Sequence, residues 1–274
     1  MGNEKKELIQ LWEDGSYDLV FNLTRERLAG KPMDYSLLVL HGFASYQLAV
    51  AQINSFDTLT YIDECIWSLR KALLSKEGPR DLRIHYVLGK AYYNKGQGYA
   101  DLAVKFLEEA RDGAYSAGDI PEYLGLAYAA IHDYRSSVEA FSQALNPQPG
   151  GTVQLETGPS DRFLLAIANS YIELDEPDAA KAYLVRCVET SRDSNAVTAA
   201  RLILGSIQGK AGDTKGAEAQ YLAILEEVGE HAEAYFQLGE LYAAGGDTTR
   251  ARAEWRRAVR IDPAHAGARA RLNM

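Results

Sequence analysis

The five histidines, at positions 41, 85, 132, 231 and 265, and the two cysteines, Cys65 and Cys187, are the side chains here best suited to bind a metal ion or act as nucleophiles. A helical metal site needs two ligands one turn apart on the same face, and no two of these histidines stand at i, i+4. Two well-separated cysteines make neither a disulfide framework nor a multi-cysteine zinc site. The chain has no GxSxG elbow, no GxxxxGK[ST] phosphate loop and no HExxH pair. "GQG" at 96–98 falls in a predicted inter-helix turn with nothing beside it to cradle a phosphate. The carboxylates are plentiful but lie on predicted turns and exposed faces. No enzyme activity, no cofactor and no metal are expected.

Charge narrows the partners. The 274 residues carry a formal net charge of −9, so a nucleic-acid partner is not expected, because phosphate contacts call for a basic face. The charge is uneven. Residues 118–248 hold 8 Lys/Arg against 20 Asp/Glu, whereas 249–274 hold 7 Arg against 2 acids. "MGNEKKELIQ" has no apolar signal core, and no run of about eighteen apolar residues could span a bilayer. A cytoplasmic setting is expected, unless a targeting segment has been removed.

The elements that position these residues are helices. In "AYFQLGELYAAGGDTTRARAEWRRAVRIDP", residues 234–263, Tyr235, Leu238, Gly239 and Tyr242 share one face of a first helix. Ala251, Trp255 and Ala258 share a face of a second. Gly239 and the alanines let two antiparallel backbones approach, and Trp255 and Tyr242 fill the space beside them. "GG" ends the first helix, Asp247 or Thr248 caps the second, and Pro263 stops it. The pattern recurs upstream in "RLILGSIQGKAGDTKGAEAQYLAIL", where Gly205 precedes Gly239 by 34 residues.

That period resembles the tetratricopeptide repeat (TPR): a small residue eighth, an aromatic eleventh, Ala twentieth, an aromatic twenty-fourth and Ala twenty-seventh. Further copies are anchored at Ala168/Leu184, Gly125/Phe141, Gly89/Leu107 and Gly42/Leu69, with a degenerate one around "WEDGSYDLV". Cys65 and Cys187 fall on small-residue positions and read as core fillers. His41 and His85 take inward-facing positions. The resemblance implies an all-α fold: one right-handed α-solenoid superhelix of about seven helix-turn-helix repeats over residues 1–274. The repeats are placed at 1–34, 35–81, 82–117, 118–151, 161–194, 198–231 and 232–265. A loop at 146–160 and a C-terminal cap at 264–274 complete it.

The resemblance further implies a protein-interaction module or scaffold whose concave groove takes a peptide or helix of a partner. The family's groove positions fall here on Phe43, Tyr46, Arg83, Tyr86, Lys90, Tyr93 and Asn94, with Trp12 adjacent and Lys5 nearby. Aromatic surface with a few cations suits apolar anchors beside an acidic group. The clamp by which related co-chaperones hold the C-terminus of Hsp70 or Hsp90 is not expected, since no three successive repeats carry its residues. Two alternatives stay open. One is a self-associating scaffold, a homo-oligomer. The other is an accessory factor of a membrane or envelope complex, docked through the Arg-rich end.

Overall fold

The structure, a computed structural model, describes residues 2–51, 55–145 and 159–273. It divides into two compact units, Met1–Gln154 and Leu155–Met274. The described residues are helical throughout, with short turns and no strand. The expected loop lies almost wholly outside the described residues, and so does the join on which a single uninterrupted solenoid depends.

The first unit contains α1 (Gly2–Glu13), α2 (Tyr17–Gly30), α3 (Tyr35–Ala51), α4 (Ser55–Ala72), α5 (Leu82–Lys95), α6 (Ala100–Asp112), α7 (Ile120–Ala130) and α8 (Tyr134–Leu145). The second contains α9 (Asp161–Glu173), α10 (Pro177–Thr190), α11 (Ser194–Lys210), α12 (Thr214–Val228), α13 (Ala232–Ala244), α14 (Thr248–Ile261) and α15 (Ala266–Leu272). Within each unit every helix packs on the next. In addition α3 meets α5, α5 meets α7, α9 meets α11 and α11 meets α13. Within each unit, then, these odd-numbered helices form a layer of their own.

Five hairpins interlock as the spacing predicts. A Cβ built on Gly42 would meet Leu69 at 2.5 Å, one on Gly89 would meet Leu107 at 2.5 Å, and one on Gly125 would meet Phe141 at 2.6 Å. Gly205 stands in the same relation to Tyr221, and Gly239 to Trp255. Where alanine takes this position, at Ala168, its hairpin partner is Leu184, and both are fully buried. Small opposes large in these hairpins, so their helices approach closely. Cys65 and Cys187 are buried among these contacts. Burial raises both thiols, Cys187 to about 11, so neither forms a thiolate readily.

Turns and caps supply the breaks. Gly212 and Gly246, 34 residues apart, adopt φ +84° and +82°, which suit glycine. His132 and Asp175 occupy the same turn position at φ 64° and 60° without being glycine, each at a cost of about 1 kcal/mol. Asp247 accepts from the Arg250 amide, as its position predicts. His231 and His265 also act as caps: each Nδ1 accepts a helix amide, from Ala234 and Ala268 respectively. That role is not legible in histidine spacing. α11 begins at Ser194, one turn before the boundary expected at 198, because Asp193 caps it by accepting the Asn195 amide.

The terminal cap forms as α15. It covers part of α13: His265 at its start lies against Phe236 and meets Glu233 at 3.0 Å, and Arg271 is forked on Glu240.

Candidate partner-binding groove

In the first unit, α1, α3 and α5 leave a groove of about 530 Å³ between them. Ile9 and Trp12 come from α1, Val39, Leu40 and Phe43 from α3, and Val87 from α5. Several of these side chains also touch the core: Val39 belongs to it, and Phe43, Val87, Leu40 and Trp12 pack against its clusters. Trp12 sits 6.4 Å from Phe43 and edge-on to Tyr17 at 4.9 Å. Polar tips border the apolar walls: Tyr35, Ser36, Tyr46, Gln47, Tyr86, Tyr115 and one charged group, Arg83.

Four of the seven expected contact residues, Phe43, Tyr46, Arg83 and Tyr86, thus line one groove. Tyr46 is among the buried residues, so its ring forms part of the floor. Lys90, Tyr93 and Asn94 lie further along α5 and engage their own neighbours. Asn94 donates to the Tyr46 hydroxyl at 3.2 Å, and Tyr93 packs edge-on to Tyr123 at 5.7 Å. Lys90 donates to Asp119 at 2.7 Å and to the Tyr86 hydroxyl at 2.9 Å. Tyr86 itself donates to Asp119 at 2.7 Å. The Lys90 ammonium also lies 4.6–5.6 Å from the ring centres of Tyr46, Tyr86 and Tyr123. Its charge is neutralised within the unit, and it holds the groove wall in place.

Arg83 is different. More than half of its side chain is exposed, while its Nε and Nη2 reach Asp81 at 2.8 and 2.6 Å. Tyr35 donates to the same carboxylate at 2.7 Å. The Arg83 hydrogen bond, chiefly, holds the Asp81 carboxyl below its ordinary value. Tyr35, Leu40, Val87 and Tyr115 also line the groove and lie outside the repeat positions from which contacts were expected. Tyr115 is in the connection after α6, where helical periodicity gives no guidance.

The phenols have a common electrostatic signature. Burial, first among the causes, raises Tyr35, Tyr128, Tyr221 and Tyr242 to about 12, and Tyr46 and Tyr86 higher still. The neutral phenol is the form the fold favours. Unfolded tyrosines lose their protons near pH 10 while these folded ones keep theirs, so stability should fall as the pH rises past 10. The urea midpoint is expected to drop steadily above that value, and phenolate absorbance of Tyr35, Tyr128, Tyr221 and Tyr242 to emerge about two pH units later than that of an exposed tyrosine unless the chain unfolds first. A flat midpoint across that range would contradict their buried, hydrogen-bonded state.

A second cavity, of about 600 Å³, lies beside α2 and α4 and is lined by Arg25, His41, Asp63, Glu64 and Trp67 among others. Its polar groups are occupied: Asp63 pairs with Lys95 at 2.7 Å, and His41 Nδ1 meets Thr24 Oγ1 at 2.8 Å. Burial pushes His41 below its ordinary value. Among the described residues, no group of three His, Cys, Asp or Glu could hold a metal ion. No helix there is long and apolar enough to cross a membrane.

Family models described as tetratricopeptide repeat match residues 161–194 and 202–266. No curated protein sequence matches the chain. Among solved structures, the C-terminal part of a TPR repeat-containing protein from Cytophaga hutchinsonii is similar at a TM-score of 0.65 and 16% identity, covering 98% of this chain and 99% of that one. YrrB, a TPR protein with an unusual peptide-binding site, is similar at 0.58 and 21% identity, over 75% of this chain and 98% of its own. PilW, a type IV pilus biogenesis factor, is similar at 0.62 and 17% identity, over 84% and 98%. Family matches, interlocked hairpins and structural neighbours agree: the chain carries tetratricopeptide repeats and has the fold of TPR proteins.

Proposed function

We propose that the first unit is a protein-interaction module, without catalytic activity, whose groove between α1, α3 and α5 receives an apolar-anchored peptide or helix of a partner protein. The observation that carries this reading is the contiguous aromatic and aliphatic lining of that groove, bordered by hydroxyl and amide groups. Such a surface offers burial for anchor side chains and hydrogen bonds for orientation. The fold supports an interaction scaffold in general, and YrrB shows that a TPR protein of this fold can carry a peptide-binding site. A cytoplasmic location belongs to the same proposal.

The Arg-rich end gives less support to docking on an anionic surface. Arg250, Arg257, Arg260 and Arg271 are paired with Asp247, Glu254, Glu230 and Glu240. Their charge is largely spent within the unit, which reduces the attraction a lipid surface would feel. The test of the groove is a pull-down from a lysate of the source organism with wild type and Trp12→Ala/Phe43→Ala. The double variant is expected to keep its helical circular dichroism and lose the partner by tenfold or more, as for removal of central aromatic anchors (about 2 kcal/mol or above). Equal recovery by both proteins would move the site elsewhere.

A further inference from the structure

Next to the groove is a second depression, of about 570 Å³, which shares Tyr35, Arg83 and Tyr115 with it. The two hollows therefore communicate at the start of α5. The far wall of this depression is the connection between α4 and α5, which contributes Lys76, Glu77 and Arg80. Of its two carboxylates, Asp81 is fully engaged by Arg83 and Tyr35. Lys76 and Arg80 are exposed and, among the described residues, neither is paired with a carboxylate. The depression thus offers two unpaired cations against the single carboxylate of Glu77, beside a groove with apolar walls and a polar border.

We infer that this depression is an acid-recognition subsite: it receives an aspartate or glutamate side chain, or a chain-terminal carboxylate, of a peptide whose apolar residues fill the neighbouring groove. The inference rests on the groove reading above and adds a direction to it. The anchors lie toward Trp12 and Phe43, and the acidic end lies over Arg80 and Lys76. Charge complementarity selects the occupant. A basic flank would meet Lys76, Arg80 and the exposed edge of Arg83, whereas an acidic flank is drawn to them. These cations come from an inter-repeat connection and not from inward helix positions, so the repeat pattern does not point to them.

The probe is a random peptide library displayed on phage, panned in parallel on the full chain and on two variants, Lys76→Glu/Arg80→Glu and Trp12→Ala/Phe43→Ala. All three proteins are first matched by circular dichroism, and since Lys76 and Arg80 are exposed their reversal should leave folding intact. On wild type, sequences with apolar anchors and acidic residues on one flank are expected to be enriched. Reversal of the two cations should abolish or invert the acidic preference while the apolar anchors persist. Synthetic peptides from the wild-type selection should bind that variant about tenfold more weakly at low salt, with the gap narrowing as salt is added. Apolar anchors without acidic bias, or the same bias on the reversed variant, would overturn the subsite and leave the groove standing. Acidic enrichment that survives Trp12→Ala/Phe43→Ala would also overturn it, because the peptides would then bind elsewhere. No enrichment on wild type would overturn both groove and subsite.

Discussion

Replacing Phe141 by alanine is expected to destabilise the first unit by about 3–5 kcal/mol, as for a large aromatic side chain lost from a well-packed core. Phe141 is fully buried and fills the space that Gly125 leaves open in the facing helix. A repeat array has no distant core to share the loss, so the unfolding midpoint of the unit holding α7 and α8 should respond most. The reciprocal change has a different cause. Gly125→Ala adds a Cβ 2.6 Å from the Phe141 ring, an overpacking expected to cost about 1–3 kcal/mol. The two sites should couple: Gly125→Ala/Phe141→Leu recreates the Ala168/Leu184 pair of the second unit, so its cost should be smaller than the summed costs of Gly125→Ala and Phe141→Leu made singly. Urea unfolding of the four proteins measures this. Simple additivity would contradict the interlocking account of the hairpin.

The second large effect is expected at Asp119. Its carboxylate accepts from both Tyr86 and Lys90, and the Lys90 side chain is only 13% exposed. Asp119→Ala leaves that ammonium poorly solvated and without its counter-charge, which should cost about 2–4 kcal/mol. Adding Lys90→Met removes the stranded charge and keeps the apolar stem among the tyrosine rings, so the double variant should regain most of the loss. If Asp119→Ala/Lys90→Met were no more stable than Asp119→Ala, the partly buried Lys90–Asp119 pair would not be what holds this wall. On the proposed reading, Tyr86 and Lys90 would act mainly by positioning the groove, and substitutions at Trp12 and Phe43 would report on contact more directly.

Helix positions and hairpin packing are legible in the sequence because one physical requirement, a small residue facing a large one at close approach, recurs along the chain, 34 residues apart at Gly205 and Gly239 and at longer spacings upstream where connections are extended. The turns are less legible where His132 and Asp175 hold left-handed conformations that glycine would have announced. The groove is partly legible: its helix-borne walls follow from the repeat, as at Phe43 and Arg83. Tyr115 and the cations Lys76 and Arg80 do not, since connections carry no period. Spacing also could not show that Lys90 is neutralised, because its partner Asp119 belongs to a different repeat and meets it only after the helices stack. The capping roles of His231 and His265 are hidden for a similar reason. Histidine at a helix start reads as a chance residue until the amide it accepts is in place.

The central claim, that a partner segment occupies the groove of the first unit, is tested most directly by site-specific photo-crosslinking. A photoreactive phenylalanine analogue would replace Ser36, exposed at the groove, and, in a parallel sample, Leu222, exposed on α12 in the second unit. After irradiation in a lysate of the source organism, a discrete adduct is expected from position 36 and not from 222. Its crosslinked peptide should carry apolar residues next to an acidic one. Adducts of the same identity and yield from both positions, or none from position 36, would contradict the account.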